Sequence, residues 1–72
     1  MVPKVPPLPY RKVHRALTQH GFALVRQKGS HAVYQHADGR TAVVPRHPGD
    51  IDASLVATIF RQAGIGLGSV RR

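Results

Sequence analysis

Cysteine is absent from this chain of 72 residues, so neither a disulfide nor a thiolate metal site can brace it. Acid is scarce: three Asp and no Glu face eleven Lys and Arg. So few carboxylates do not build the acidic pocket that a Mg²⁺-dependent nuclease gathers. Asp38 falls in a turn signal, and Asp50 and Asp52 at a helix start, where local backbone bonding accounts for them. Zinc is poorly served too. No two histidines stand four apart on a helix, and His31 and His36 alternate to opposite faces of one strand. No metal and no small-molecule cofactor is expected. Tryptophan is missing, and two Tyr and two Phe supply the aromatic bulk. No apolar run is long enough to cross a bilayer, and the prolines near the N-terminus break any signal-peptide segment. The expected location is therefore the cytoplasm, away from membranes.

Positive charge is what the chain has in excess. Its formal charge of +8 attracts polyanions and speeds encounters with them. Nucleic acid is the commonest such partner. Charge alone argues for binding and not for catalysis. The length sets one domain over residues 1–72, with a small core that is only marginally stable alone.

Residues 1–9, MVPKVPPLP, are too proline-rich for a helix interior and read as an extended arm whose Val5 and Leu8, with Tyr10, can dock on the core. Tyr10 to His20 reads as helix, with Val13, Ala16, Leu17 and His20 in one stripe. Gly21 and Phe22 then make a C-terminal stop, with Phe22 packing back on Leu17. His14 reads as a solvated helix residue. Three strands follow, from Ala23 to Lys28, His31 to Ala37 and Arg40 to Pro45. Gly29-Ser30 and Asp38-Gly39 read as two-residue hairpin turns. Counting from those turns, Lys28 faces His31, Arg26 faces Val33, Gln35 faces Ala42 and His31 faces Arg46. Alternation then gathers Leu24, Arg26, Lys28, His31, Val33, Gln35, Ala42, Val44 and Arg46 on an open face with one cationic end. Ala23, Val25, Gln27, Ala32, Tyr34, His36, Thr41, Val43 and Pro45 form the helix-packing side. A one-residue slip in either turn changes these neighbours. After the RHPGDI loop, Asp52 (or Asp50) caps a last helix over about Ala53 to Ala63. Leu55, Val56, Ile59, Phe60 and Ala63 form its stripe, and Gly64-Ile65 its stop. Residues 66–72 are a glycine-rich basic tail expected to be flexible. The order is αβββα: an α+β fold with two helices on one face of a three-stranded antiparallel sheet.

The stretch Gln27-Lys28-Gly29-Ser30-His31 carries the chemistry. Histidine gives and takes protons near neutrality. RNA brings its own nucleophile, the 2′-OH, so cleavage without metal needs a base near that hydroxyl, cations on the phosphate and a proton for the leaving 5′-oxygen. His31 can serve as base or acid. Lys28, Arg26 and Arg46 can offset the charge that develops on phosphate. Backbone N–H groups at Gly29 and Ser30 can add contacts. The second proton-transfer group stays open among His47, Tyr34 and solvent. A plain hairpin turn followed by an ordinary strand histidine remains the competing reading.

The ordered set Gly21-Phe22, RQKGSH (Arg26 to His31), DGR (Asp38 to Arg40), VP-x-H (Val44 to His47) and IFRQAGI (Ile59 to Ile65) resembles the HicA (YcfA-like) toxin family over roughly residues 8–65. The resemblance implies a double-stranded-RNA-binding-domain-like αβββα fold. It also implies a toxin ribonuclease that cuts mRNA and inhibits translation, held in check by a HicB-type antitoxin. The family's catalytic histidine carries over to His31, and its turn glycine to Gly29. His47 matches a recurring histidine, either an RNA contact or an anchor for the loop before the last helix. The last helix departs from the family by carrying fewer charges. A basic RNA-binding module without catalysis, and a subunit whose basic face serves only an acidic partner, are the alternatives.

Overall fold

The computed structural model describes residues 6–46 and 48–66. The elements in order are β1 (Leu8–Pro9), α1 (Tyr10–Gln19), β2 (Phe22–Lys28), β3 (His31–His36), β4 (Thr41–Pro45), β5 (Asp50–Ile51) and α2 (Ala53–Ala63). β2, β3 and β4 form an antiparallel sheet in that order, and β1 pairs antiparallel with β5 as a separate ribbon. The architecture is α+β, in agreement with the expected double-stranded-RNA-binding-domain-like αβββα order. The short β1–β5 ribbon is an addition. It seats the second half of the arm, because Leu8 lies opposite Ile51 and both are buried. The first half of the arm with Val5, the tail beyond Gly66, and His47 lie outside the described residues.

α1 buries the expected Val13, Ala16 and Leu17. His20 is exposed instead, and its Nδ1 lies 2.8 Å from the Ala16 carbonyl oxygen. α2 starts at Asp52, whose carboxylate accepts from the Ser54 N–H at 3.0 Å and from the Ser54 hydroxyl. It stops at Gly64 (φ 69°), after which the Ile65 N–H reaches the Phe60 carbonyl at 2.9 Å and Ile65 is buried. Val56, Ile59, Phe60 and Ala63 face the core, while Leu55, expected in the stripe, is exposed. The described core is wholly apolar apart from Tyr34, whose hydroxyl is hydrogen-bonded.

Two details of the sheet differ from the counted register, and both decide which face a residue occupies. The β2–β3 ladder keeps Lys28 opposite His31 and Arg26 opposite Val33, but shifts by one between Leu24 and Arg26. That bulge is what lets Phe22 enter the core while Arg26, an even number of residues on, stays on the open face. It also moves Leu24 to the side of Tyr34 and Ala23 to the side of Gln35. The second hairpin has a longer loop than Asp38-Gly39 alone. His36 N–H donates to the Arg40 carbonyl at 2.8 Å, and Gly39 N–H to the His36 carbonyl at 2.9 Å, so Ala37 belongs to the turn. Gly39 has φ 99°, and among the described residues no non-glycine has positive φ. Asp38 does not adopt the left-handed conformation that a two-residue turn would ask of it. Its carboxylate instead accepts from the Arg40 backbone N–H at 3.0 Å and from Arg40 Nε at 2.8 Å.

The extra turn residue slips β4 by one place. His31 faces Pro45, Ala32 faces Val44, Val33 faces Val43, Tyr34 faces Ala42 and Gln35 faces Thr41. A one-residue slip exchanges the two faces of a strand. Ala42 and Val44 are therefore buried under the helices, and Thr41, Val43 and Pro45 line the open side, the reverse of the expectation.

Candidate functional site

The Gly29-Ser30 turn joins β2 to β3 with Lys28 and His31 as its flanking pair. Gly29 has φ 59°, whereas Ser30 does not have positive φ, the pattern of a type II′ turn with glycine first. Gln27 Nε2 donates to the Gly29 carbonyl at 3.3 Å, and the Arg46 N–H donates to the Ser30 carbonyl at 2.5 Å. The turn is thus tied to both neighbouring strands.

His31 alternates with the buried Ala32, so its ring stands on the open face, exposed. Lys28 is its direct cross-strand neighbour on that face, with Cβ atoms of such pairs about 5 Å apart. Arg26, opposite Val33, sits on the diagonal, about 7 Å away in a regular ladder. Both cations are exposed. The structure therefore brings His31, Lys28 and Arg26 together beside the Gly29-Ser30 turn. Among the described residues no side chain hydrogen-bonds the His31 ring.

Arg46 does not join them. The slipped register puts Pro45 opposite His31, and Arg46, two residues after the buried Val44, lies on the Val44 side of the sheet and not the His31 side. Its guanidinium stands 5.1 Å from the centroid of the Tyr10 ring and donates to Gln27 Oε1 at 2.6 Å. Tyr34, one of the three options for a second proton-transfer group, also faces away from His31. Its hydroxyl is bonded to the Tyr10 hydroxyl and lies 2.6 Å from His14 Nδ1. Burial pushes the Tyr34 phenol above its usual range, and the Tyr10 hydrogen bond adds to the effect. His47, the second option, lies outside the described residues.

A second polar group thus lies on the other side of the turn: Tyr10, His14, Tyr34, Gln27 and Arg46. It borders an open groove of about 580 Å³ lined by Tyr10, Gln27, Gly29, Ser30, Arg46 and Pro48. His31 is not part of that lining. Sequence reading missed this group. Tyr10 and His14 stand four apart on α1 and so share a face, and Tyr34 and Gln27 were already on the helix side of the sheet. The missing link was the position of Arg46.

Two of the three acids are committed elsewhere. Asp38 lies with Arg40 and His36, and the Arg40 backbone N–H is the main cause that holds its carboxyl below the usual range. Asp52 is lowered chiefly by the Ser54 hydroxyl. No group of three or more His, Asp or Glu suited to a metal ion occurs among the described residues.

Two helices over one face of a three-stranded antiparallel sheet, with a histidine and cations on the uncovered face, define a small basic α+β domain. Residues 10–65 match the family model described as HicA toxin of bacterial toxin-antitoxin systems, over more than three-quarters of the chain. The chain belongs to the HicA toxin family. Membership makes it a toxin of a toxin–antitoxin pair and implies a cognate antitoxin. No curated protein matches the chain.

Proposed function

We propose that this toxin is a metal-independent endoribonuclease that cuts mRNA and so inhibits translation, and that a HicB-type antitoxin neutralises it. The observation that carries the reading is the exposed His31 paired with Lys28, and flanked by Arg26, at the Gly29-Ser30 turn. His31 takes the proton from a ribose 2′-OH as general base. The 2′-oxygen attacks phosphorus, the bond from phosphorus to the 5′-oxygen breaks, and that oxygen takes a proton from solvent or from His47, the two donors still open. The products are a 2′,3′-cyclic phosphate and a free 5′-OH. Lys28 and Arg26 lie where they offset the charge that builds on the phosphoryl oxygens. The N–H groups of Gly29 and Ser30 are RNA contacts in the same reading. His47 keeps both of its roles, RNA contact or loop anchor. The commitment of Asp38 to the hairpin loop and Asp52 to the α2 cap supports a route that draws on the RNA's own hydroxyl.

One observation favours the alternative of RNA binding without cleavage. Tyr34 is turned away from His31, and the described neighbours of His31 on its face are the cations Lys28 and Arg26, with no second histidine or carboxylate among them. The test is a labelled single-stranded RNA in EDTA beside the same strand carrying a single 2′-deoxynucleotide at the cut position. Cleavage of the first and survival of the second is the expected result. Equal cutting of both would remove the 2′-OH mechanism, and binding without any product would leave the binding module.

A further inference from the structure

The proposed chemistry uses one side of the Gly29-Ser30 turn. The groove on the other side shares Gly29 and Ser30 with it, but its side chains Tyr10, Gln27 and Arg46 are ones that chemistry does not use. Arg46 is held in a fixed pose by two contacts: the Tyr10 ring beneath its guanidinium at 5.1 Å, and Gln27 Oε1 at 2.6 Å on Nη1. Tyr10 is in turn anchored through its hydroxyl to the buried Tyr34, which also meets His14. The result is a planar cation whose orientation is set from the core outward.

No described carboxylate forms an ion pair with it. Of the acids, Asp38 pairs with Arg40 and Asp52 caps α2, and no ion pair to Arg46 occurs among the described residues. A cation left without an acid partner, stacked on an aromatic ring and opening on a groove of about 580 Å³, has the features of a nucleotide platform. Guanidinium planes and aromatic rings both stack nucleobases, and the free N–H edge of an arginine fits a phosphate. The net charge of +8 favours a polyanion over an acidic peptide patch of modest charge. The groove is also continuous with the candidate cleavage site, since Gly29 and Ser30 line it while Lys28 and His31 flank the same turn.

We infer that the Tyr10–Arg46–Gln27 groove is a nucleotide-binding subsite for single-stranded RNA. It holds a nucleotide next to the scissile bond, with the base stacked on the Arg46 plane. The inference rests on the ribonuclease reading for the word "scissile" but not for the binding itself. The strand passes over the Gly29-Ser30 turn, its reacting phosphate on the His31 side and a neighbouring nucleotide on the Arg46 side. Gln27 and Tyr10 act as positioning residues for Arg46. A platform of this kind discriminates against duplex RNA, whose bases are not free to stack.

The probe is a fluorescent single-stranded RNA that is 2′-O-methylated throughout, so it cannot be cut, with affinity read by anisotropy in EDTA. Arg46→Ala is compared with Arg46→Lys and with Arg15→Ala, an equal loss of charge at an exposed position on α1. Circular dichroism checks that each variant is folded. Loss of the platform should weaken binding by about tenfold or more, the range of one stacked base. Arg46→Lys should recover less than half of that loss, and Arg15→Ala should change affinity by less than about threefold. An abasic scan of the strand should then find one position where the wild type loses affinity and Arg46→Ala loses no more.

Equal effects of Arg46→Ala and Arg15→Ala, or full rescue by lysine, would reduce Arg46 to one point charge in a general field and overturn the subsite. So would an abasic scan that is the same for both proteins. A variant that binds RNA as wild type but no longer binds its antitoxin would assign the groove to protein recognition. If His31→Ala still cuts RNA while Arg46→Ala binds poorly, the catalytic reading fails and the subsite stands.

Discussion

At the scale of single residues, the account turns on what lies on each side of the sheet. Lys28 opposite His31 was legible because glycine at the first turn position fixes a two-residue loop, and pairing follows by counting. Arg46 was placed beside His31 by the same counting, and one extra residue in the distant loop carried it to the other face. The Tyr34 hydroxyl was open as a proton donor for catalysis. In the structure it is the buried hub between Tyr10 and His14. Tyr34→Phe keeps the ring and removes both bonds, so it should lower stability by about 1–2 kcal/mol while leaving cleavage through His31 in place. The folded phenol holds its proton more tightly than the unfolded one, because burial disfavours the charged form. That contribution is therefore full below the unfolded phenol pKa of about 10 and is lost as pH rises beyond it. Urea titrations at neutral pH and above pH ~10 check both statements, and the phenylalanine variant should show the weaker alkaline loss.

Among the elements, both long helices and their stops were readable, because a 3.6-residue stripe followed by Gly-Phe or Gly-Ile is a local signal. The β1–β5 ribbon was not, since two residues on each side carry no periodicity and the pairing spans most of the chain. The register of β4 was not readable either. The Asp-Gly pair suggests a two-residue turn, but Asp38 is better satisfied by bonding Arg40 than by a left-handed backbone. Arg40 also donates to the Ala63 carbonyl at the end of α2 and lies 5.4 Å from the Phe22 ring centroid. The longer loop is thus tied to the helix layer and to the start of β2. A pair of substitutions reads the register directly. Val44→Lys places a charge in the core and should abolish cooperative thermal unfolding, whereas Val43→Lys should shift stability by no more than about 0.5 kcal/mol. The opposite order would restore the two-residue turn. The α2 cap carries a pH signature. The Asp52 carboxyl is held below its usual range by Ser54, so its stabilisation is present above the unfolded pKa of about 3.9 and is lost as pH falls through the lower folded value. Asp52→Asn, which keeps a capping oxygen, should hold most of the neutral-pH melting temperature and flatten the acid limb. Asp52→Ala should lower the melting temperature at neutral pH as well.

For the whole molecule, the shortest dimension is 16 Å, room for one sheet and one helix layer. Nothing among the described residues covers the open face, which carries Arg26, Lys28 and His31 beyond the apolar Val33 and Val43. The cationic end was legible from alternation along β2 and β3, but most of its apolar neighbours were not: Val43 lines this face where Leu24, Ala42 and Val44 were expected. What composition could not show is that cations reach the Gly29-Ser30 turn from both faces. Three cations at the strand, Lys28, Arg26 and Arg46, predict a log–log salt slope of about −2 for single-stranded RNA, at about 0.7 per neutralised phosphate. Affinity should fall roughly twentyfold between about 50 and about 200 mM salt. Fluorescence anisotropy across that range checks it, and a slope near zero would remove the phosphate contacts from the account.

The most direct measurement is cleavage of a labelled single-stranded RNA in EDTA by the wild type and by His31→Ala, with the affinity of each protein measured on an uncleavable 2′-O-methyl copy. His31 is exposed and bonds no described side chain, so the variant should fold and bind within about threefold of the wild type. The account predicts that its cleavage rate falls by about 100-fold or more, the scale of a lost general base. Equal rates at equal affinity would contradict it and take His31 out of the chemistry.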